Sequence, residues 1–217
     1  MSGGGPRGVS GGEPGGAARG GAPLRLLLST RNDHKLREFT RLAGGRLAVD
    51  PLPAEVTLPP EDGATFAENA LGKARAAAQA TGRAAIADDS GVEAAALDGR
   101  PGIYSARFAG PDASDEENLV KLLREAPAGS ALAYVCAIAY VDPATGEERL
   151  FEGRCTGRVA ARPGGAGGFG YDPAFLPDDE LPGGAPGRTM AELSDAEKDA
   201  ISHRGRAVRM LLHWLAA

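Results

Sequence analysis

The chain has 217 residues, 42% of them hydrophobic, with 24 basic and 29 acidic side chains and a net charge of −5. That length suits one domain with a real core. The acidic balance excludes a nucleic-acid binder that relies on a broad basic surface, and no run approaches the roughly 18 apolar residues of a membrane span.

Residues 1–22 hold ten glycines and no hydrophobic periodicity. Such a segment cannot bury enough apolar surface to offset its ordering entropy, so it is predicted to be a disordered tail without catalytic role. A glycine-rich phosphate loop is the sharper alternative, but no P-loop lysine follows it. It lacks the apolar segment of a signal peptide, and a cytoplasmic protein is expected. Residues 23–217 are then the working domain.

Leu24 to Leu28 is a near-continuous apolar run and reads as a buried strand. Ser29 to Phe39 follows, and Asn32 or Asp33 can cap a helix there. A strand, a polar turn and a helix N-terminus with a nearby lysine, Lys35, make an anion site. Leu47 to Leu58 reads as a second strand, interrupted by prolines and therefore near a sheet edge. Glu61-Asp62-Gly63 is a polar turn. Thr65 with Glu68 forms a capping-box pattern that opens a helix. On that helix Asn69 and Lys73 share one face, and Phe66, Ala70, Ala74 and Ala77 form a narrow stripe that can pack closely on a sheet.

Ala84 to Ala87 reads as a short buried strand that ends in Asp88-Asp89-Ser90-Gly91. Ligands of open α/β sheets sit at the carboxyl ends of strands. Two adjacent carboxylates repel and are costly to desolvate, so a cation is a natural third partner. An ordinary Asp-Ser-Gly turn is the plainer alternative. Pro101 to Phe108 forms a loop carrying Tyr104, Ser105 and Arg107. Ser114 with Glu117 caps a helix reaching about Glu125, with Leu119, Leu122 and Leu123 on its apolar face.

Ala131 to Val141 and Glu147 to Ala160 read as a long hairpin that extends the sheet into a second lobe. In that pairing Cys136 falls roughly opposite Glu152 and away from Cys155, so no disulfide is expected. Arg162 to Gly170 is glycine-rich and runs into Phe169-Gly170-Tyr171-Asp172-Pro173. Glycine permits close backbone approach to a ligand, and Phe169 offers a flat face to a base. Asp178 to Gly187 is a surface loop. Ser194 with Glu197 forms another capping box, and Ser202 can cap a last helix with Val208, Leu211, Leu212 and Leu215 on its apolar stripe. His34, His203 and His213 lack zinc-type spacing.

Phe66 to Lys73, Ile86 to Gly91, Pro101 to Phe108, Phe169 to Pro173 and Ser202 to Arg204, in this order, resemble the inosine/xanthosine triphosphate pyrophosphatases. The likeness spans about Leu24 to Trp214, and several spaced motifs in one order are far more specific than any one of them. It implies an α/β fold with a mixed central sheet, flanking helices and two lobes around a nucleotide cleft. It also implies a homodimer that hydrolyses ITP, dITP or XTP to the monophosphate and pyrophosphate. Thr30, Asn32 and Lys35 stand on the family's triphosphate motif, where the family usually has glycine in place of Arg31. The resemblance gives substrate contacts to Lys73, Ser90, Phe169, Gly170, Tyr171, Asp172, Lys198, His203 and Arg204. It gives Mg²⁺ to Glu61 and Asp89.

Asp89 is expected to act on the attacking water as metal ligand, general base or both, with Asp88 as an alternative holder of either role. Arg204, which has donors only, matches the 6-oxygen of inosine and xanthosine. A covalent phospho-acceptor aspartate and a nucleotide-binding regulator without chemistry are the competing classes. Gly91, where the first would want a second aspartate, argues against it.

Overall fold

The apolar run Leu24–Leu28 forms strand β1, whose last three residues are fully buried. Parallel neighbours flank it: β2 (Leu47–Pro51) on one side and β3 (Ala85–Ala94) on the other. β4 (Ala131–Asp142), β5 (Glu147–Val159) and β6 (Phe175–Pro177) continue the sheet antiparallel, giving the order β2-β1-β3-β4-β5-β6. This computed structural model describes residue 1 and residues 24–179 and 187–217. The glycine-rich tail and the middle of the Asp178–Gly187 loop lie outside the described residues.

Among the described residues, five α-helices surround the sheet: α1 (Asp33–Ala43), α2 (Phe66–Thr81), α3 (Asp115–Glu125), α4 (Asp195–Ile201) and α5 (His203–Leu215). Their starts follow the side-chain chemistry. Asn32 caps α1, Thr65 caps α2, Ser202 caps α5, and Ser114 and Ser194 form full capping boxes with Glu117 and Glu197. At α2 the box is altered, because the Glu68 carboxylate accepts from the amide of Ala64 instead of from Thr65.

The sheet carries a core on each face. Leu26, Leu28, Ile86, Cys136 and Ile138 pack against α1 and α5. On the other face Leu27, Ala85, Ala87, Val135 and Ala137 meet Phe66, Ala70, Ala74 and Ala77 of α2, the stripe expected from the sequence. A third cluster builds the second lobe, where Val92, Leu132, Tyr134, Val159 and Phe175 pack with Leu122 of α3 and Met190.

Three expectations need correction. The Ala84–Ala87 strand does not end at the carboxylates; β3 runs ten residues, to Ala94. β1 pairs only with Ala85 and Ile86, whereas β4 pairs with all of β3. Asp88 and Asp89 thus lie just beyond the end of β1 but in the middle of β3. The second strand stops at Pro51, well short of Leu58, because the prolines that follow have no N–H for the ladder; its edge position is as expected. The hairpin register is also one residue from the expected one: Cys136 faces Gly153, Cys155 faces Tyr134, and both thiols are free.

Gly91 lets the second lobe close on β3. Ser105, in the helical turn Gly102–Arg107, accepts from the Val92 amide at 2.9 Å and donates to the Gly102 carbonyl at 2.7 Å. A Cβ at Gly91 would overlap both Ser105 Oγ and the Gly102 carbonyl oxygen. Gly91→Ala should therefore cost about 1–3 kcal/mol, the usual range for overpacking, read as a lower urea midpoint at unchanged slope.

Candidate active site

Side chains alternate across a strand, so consecutive residues of β3 point to opposite faces of the sheet. Asp89 joins Ala85 and Ala87 on the α2 face. There Asn69 Nδ2 donates to Asp89 Oδ2 at 2.9 Å, and Lys73 Nζ lies 3.9 Å from Asp89 Oδ1 and 2.5 Å from Glu61 Oε1. The shared face of Asn69 and Lys73, one helical turn apart, accounts for both contacts. Burial pushes the Asp89 carboxyl upward and Glu61 adds to this; Lys73 offsets only part of it.

Asp88 joins Ile86 on the α1/α5 face. Its Oδ2 meets Lys35 Nζ at 3.1 Å and Arg204 Nη2 at 3.0 Å. Burial alone would raise this carboxyl, but Lys35, Arg204 and Lys73 outweigh it and hold Asp88 well below the usual carboxylate range. The two aspartates therefore have different nearest ammonium partners, Lys35 for Asp88 and Lys73 for Asp89, while the Lys73 charge acts on both.

Arg204 is 1% exposed. Its guanidinium donates to Glu38, to Asp88 and, at 2.9 Å, to Ser90 Oγ. Glu38 also accepts from Lys198 Nζ at 2.8 Å, and the same ammonium donates to Asp172 Oδ2 at 2.7 Å. Asp172 accepts from the Tyr134 hydroxyl at 3.1 Å and from the Phe169 amide at 2.9 Å. One chain of ion pairs thus ties the glycine-rich loop to α1 and β3. Phe169 stacks on His34 with 5.2 Å between ring centres, and His203 stacks on Tyr134 at 4.6 Å.

These groups border one cleft of about 320 Å³. Thr30, Asn32, Lys35, Glu61, Lys73, Asp89 and Ser90 line it from the first lobe. Phe169, Gly170, Tyr171, Asp172, Lys198, His203 and Arg204 line it from the glycine-rich loop and the last two helices. All the sequence-derived site residues are brought together, and Asp88 lies behind the wall. Arg204 is where the sequence placed it, but its hydrogen bonds run inward, to carboxylates and a serine of the protein.

Sequence reading missed Glu38, Tyr134 and Asp115, whose carboxylate accepts from the Gly170 amide at 2.9 Å. For Glu38 a signal existed: it follows Lys35 by three residues on α1 and so shares its face. Tyr134 and Asp115 sat in an apolar strand and a helix cap, with nothing local to mark them.

Lysines and carboxylates gathered at the end of a parallel strand and a helix N-terminus define a phosphate-handling α/β protein. The Ham1 family pattern matches residues 26–214, and the chain belongs to that family. It is 48% identical over 197 residues to a dITP/XTP pyrophosphatase of Mycolicibacterium paratuberculosis, covering 86% of this chain and 93% of that one. It is 45% identical to a dITP/XTP pyrophosphatase of Geobacter sulfurreducens, covering 86% and 94%. The Ham1 protein of Staphylococcus aureus has a similar structure, with a TM-score of 0.76 at 36% identity over 88% of this chain and 98% of that one.

Two outcomes follow from the buried charges. Arg204→Ala leaves Glu38 buried without its main counter-charge and Asp88 with Lys35 but without its guanidinium partner, so stability should drop by about 3–5 kcal/mol, measurable by urea unfolding. His203 is held well below its usual pKa by burial and by Arg204 and Lys198. Below about pH 6.5 the unfolded chain binds a proton at this residue that the folded protein does not. Stability should therefore fall between pH 6.5 and 5 by up to about 1.4 kcal/mol per pH unit. A shallower slope in His203→Gln, measured by unfolding at each pH, checks the assignment.

Proposed function

We propose that this protein hydrolyses the noncanonical purine nucleoside triphosphates ITP, dITP and XTP to the nucleoside monophosphate and pyrophosphate, and so removes them from the nucleotide pool. The observation that carries the reading is the unequal pair on β3. Asp89 faces the cleft with its carboxyl raised, while Asp88, one residue away, is neutralised behind the wall. The relatives named above are dITP/XTP pyrophosphatases by name, which supports this reading.

In this reading a water molecule attacks the α-phosphorus and the bond to the bridging oxygen breaks. Pyrophosphate leaves, and the proton of the water passes to Asp89, which Asn69 holds in place. Lys35, Lys73 and Lys198 neutralise phosphate oxygens as point charges, which phosphoryl chemistry needs more than covalent help. Thr30, Asn32 and the start of α1 seat the phosphate chain. Phe169, Gly170, Tyr171, Asp172, His203 and Arg204 enclose the nucleoside end, with Phe169 as the stacking face, and Ser90 borders the phosphates.

Glu61 and Asp89 are the groups that would hold Mg²⁺. The donor set fits, because one ammonium, that of Lys73, already bridges these two carboxylates at the cleft. Hard oxygen donors with room for water and phosphate oxygens suit this ion. When bound, it would neutralise developing charge on the phosphates and make the attacking water more acidic. Among the described residues no cluster of three or more His, Cys, Asp or Glu side chains is poised for a metal, so the remaining ligands would come from substrate and water. The protein works in this reading as a cytoplasmic homodimer. Among the described residues no helix is long and apolar enough to cross a membrane.

The test is pyrophosphate release from ITP, dITP, XTP and ATP, with Mg²⁺ and with chelator. Turnover of the first three well above ATP, abolished by chelation, is the expected result. Asp89→Asn should lower kcat by about 10²–10⁴-fold while the circular dichroism spectrum and thermal midpoint stay near those of the parent.

A further inference from the structure

The chain between β2 and α2 carries Leu58 and Glu61 to the cleft, yet it has almost no backbone hydrogen bonds of its own. Pro53, Pro59 and Pro60 cannot donate. Among the described residues, the only backbone group between Thr57 and Asp62 with a hydrogen bond is the Glu61 carbonyl, which accepts from Arg107 Nη2 at 2.8 Å. Downstream, the Gly63 amide donates to Asn69 Oδ1 at 2.8 Å; upstream, the anchor is the turn that Val56 closes on the Pro53 carbonyl at 3.2 Å.

Four carbonyls of that turn converge on one side chain. Arg31 Nη1 donates to the Leu52 carbonyl at 2.9 Å. Its Nη2 reaches those of Pro53 at 2.7 Å, Ala54 at 3.1 Å and Val56 at 2.7 Å. Arg31 itself stands between Thr30 and Asn32 at the cleft wall. One residue therefore belongs to the phosphate-facing loop and also grips the start of the strap that ends in Glu61.

We propose that Arg31 is a positioning residue for the reaction: it fastens the 52–61 strap to the 30–35 loop and so fixes where Glu61 stands relative to Lys73 and Asp89. This rests on the reading that Glu61 serves the chemistry of the cleft. A planar fork suits this task, because it sends divergent N–H groups to several fixed acceptors, whereas lysine offers three donors from one point. Carbonyls carry no net charge, so the cradle orients the guanidinium without neutralising it. The geometry favours a strap over a direct phosphate contact, since both terminal nitrogens already donate to the backbone.

The test compares the parent enzyme with Arg31→Met and Arg31→Lys. Removing such an outer support typically costs about 10–100-fold in metal affinity or activity. Both variants should therefore lose about tenfold or more in kcat, or need about tenfold more Mg²⁺ for half-maximal rate, with KM for ITP within about threefold of the parent. Amide exchange at Val56 and Gly63, the hydrogen-bonded amides that flank the unbonded stretch, should quicken in both, while exchange in α2 and β3 stays as it was. Three results would overturn the proposal: full rescue by lysine, a raised KM for the methionine variant at unchanged kcat, or unaltered exchange of the strap. The first two would make Arg31 a charge contact to phosphate. If the parent releases no pyrophosphate from ITP, dITP or XTP, the functional reading fails separately, and the exchange measurement still decides whether Arg31 fastens the strap.

Discussion

The pocket depends on one buried cation. Arg204 sits between Asp88 of β3 and Glu38 of α1, and none of the three is more than 8% exposed. Desolvating an ion costs several kcal/mol, which is offset only where good geometry and further hydrogen bonds satisfy the group. Here Glu38 also takes Lys198, and Lys198 takes Asp172, which in turn receives Tyr134 and the Phe169 amide. Whole-domain stability is about 5–15 kcal/mol, so losing any central member of such a chain is a large fraction of the total. Apolar burial drives the sheet and helices together but has no direction. The ion pairs supply the direction and fix the glycine-rich loop against the sheet.

Strand geometry then divides labour between two identical side chains. Asp88 and Asp89 differ by one position, and the pleat sends one into the charge network and the other to the cleft. Asp88 is balanced by Lys35 and Arg204 and stays ionised; Asp89 sees Lys73 at 3.9 Å and a second carboxylate beyond it. A pair of titratable groups whose surroundings push their pKa values apart is how one site acquires distinct acid–base roles. Ser90 and Gly91 complete the run. The serine accepts from Arg204, and the glycine leaves room for the Ser105 turn that joins the lobes.

Much of this was readable in the sequence because it rests on short-range rules. Asn32, Thr65, Ser114, Ser194 and Ser202 cap helices where their side chains reach an amide two or three residues on, and that reach is local. The alanine stripe of α2 marks its buried face through helical periodicity alone. The spaced motifs gathered at one cleft, all of them lining it. Local rules failed where pairing continued past a local signal. The Asp-Asp-Ser-Gly run looks like a strand end, yet β4 carries the ladder through it to Ala94. The hairpin register shifted by one residue for the same reason, since pairing is set over a dozen residues and not at the cysteine.

By itself, then, the sequence determined most of the elements, the helix caps and apolar faces, the family, and most of the residues that meet at the cleft, Tyr134 and Asp115 excepted. Only the tertiary structure decided which aspartate faces the cleft, that Glu38 is buried beneath it, that Arg204 donates inward, and that Arg31 grips the strap leading to Glu61. The physical reason is range. Caps and stripes act within a turn or two of helix, whereas Glu38 and Arg204 are 166 residues apart and Arg31 reaches the Val56 carbonyl across 25. Spacing can put Glu38 on the Lys35 face of its helix, but it does not name the distant partner, and these contacts exist only once the sheet has set the elements face to face.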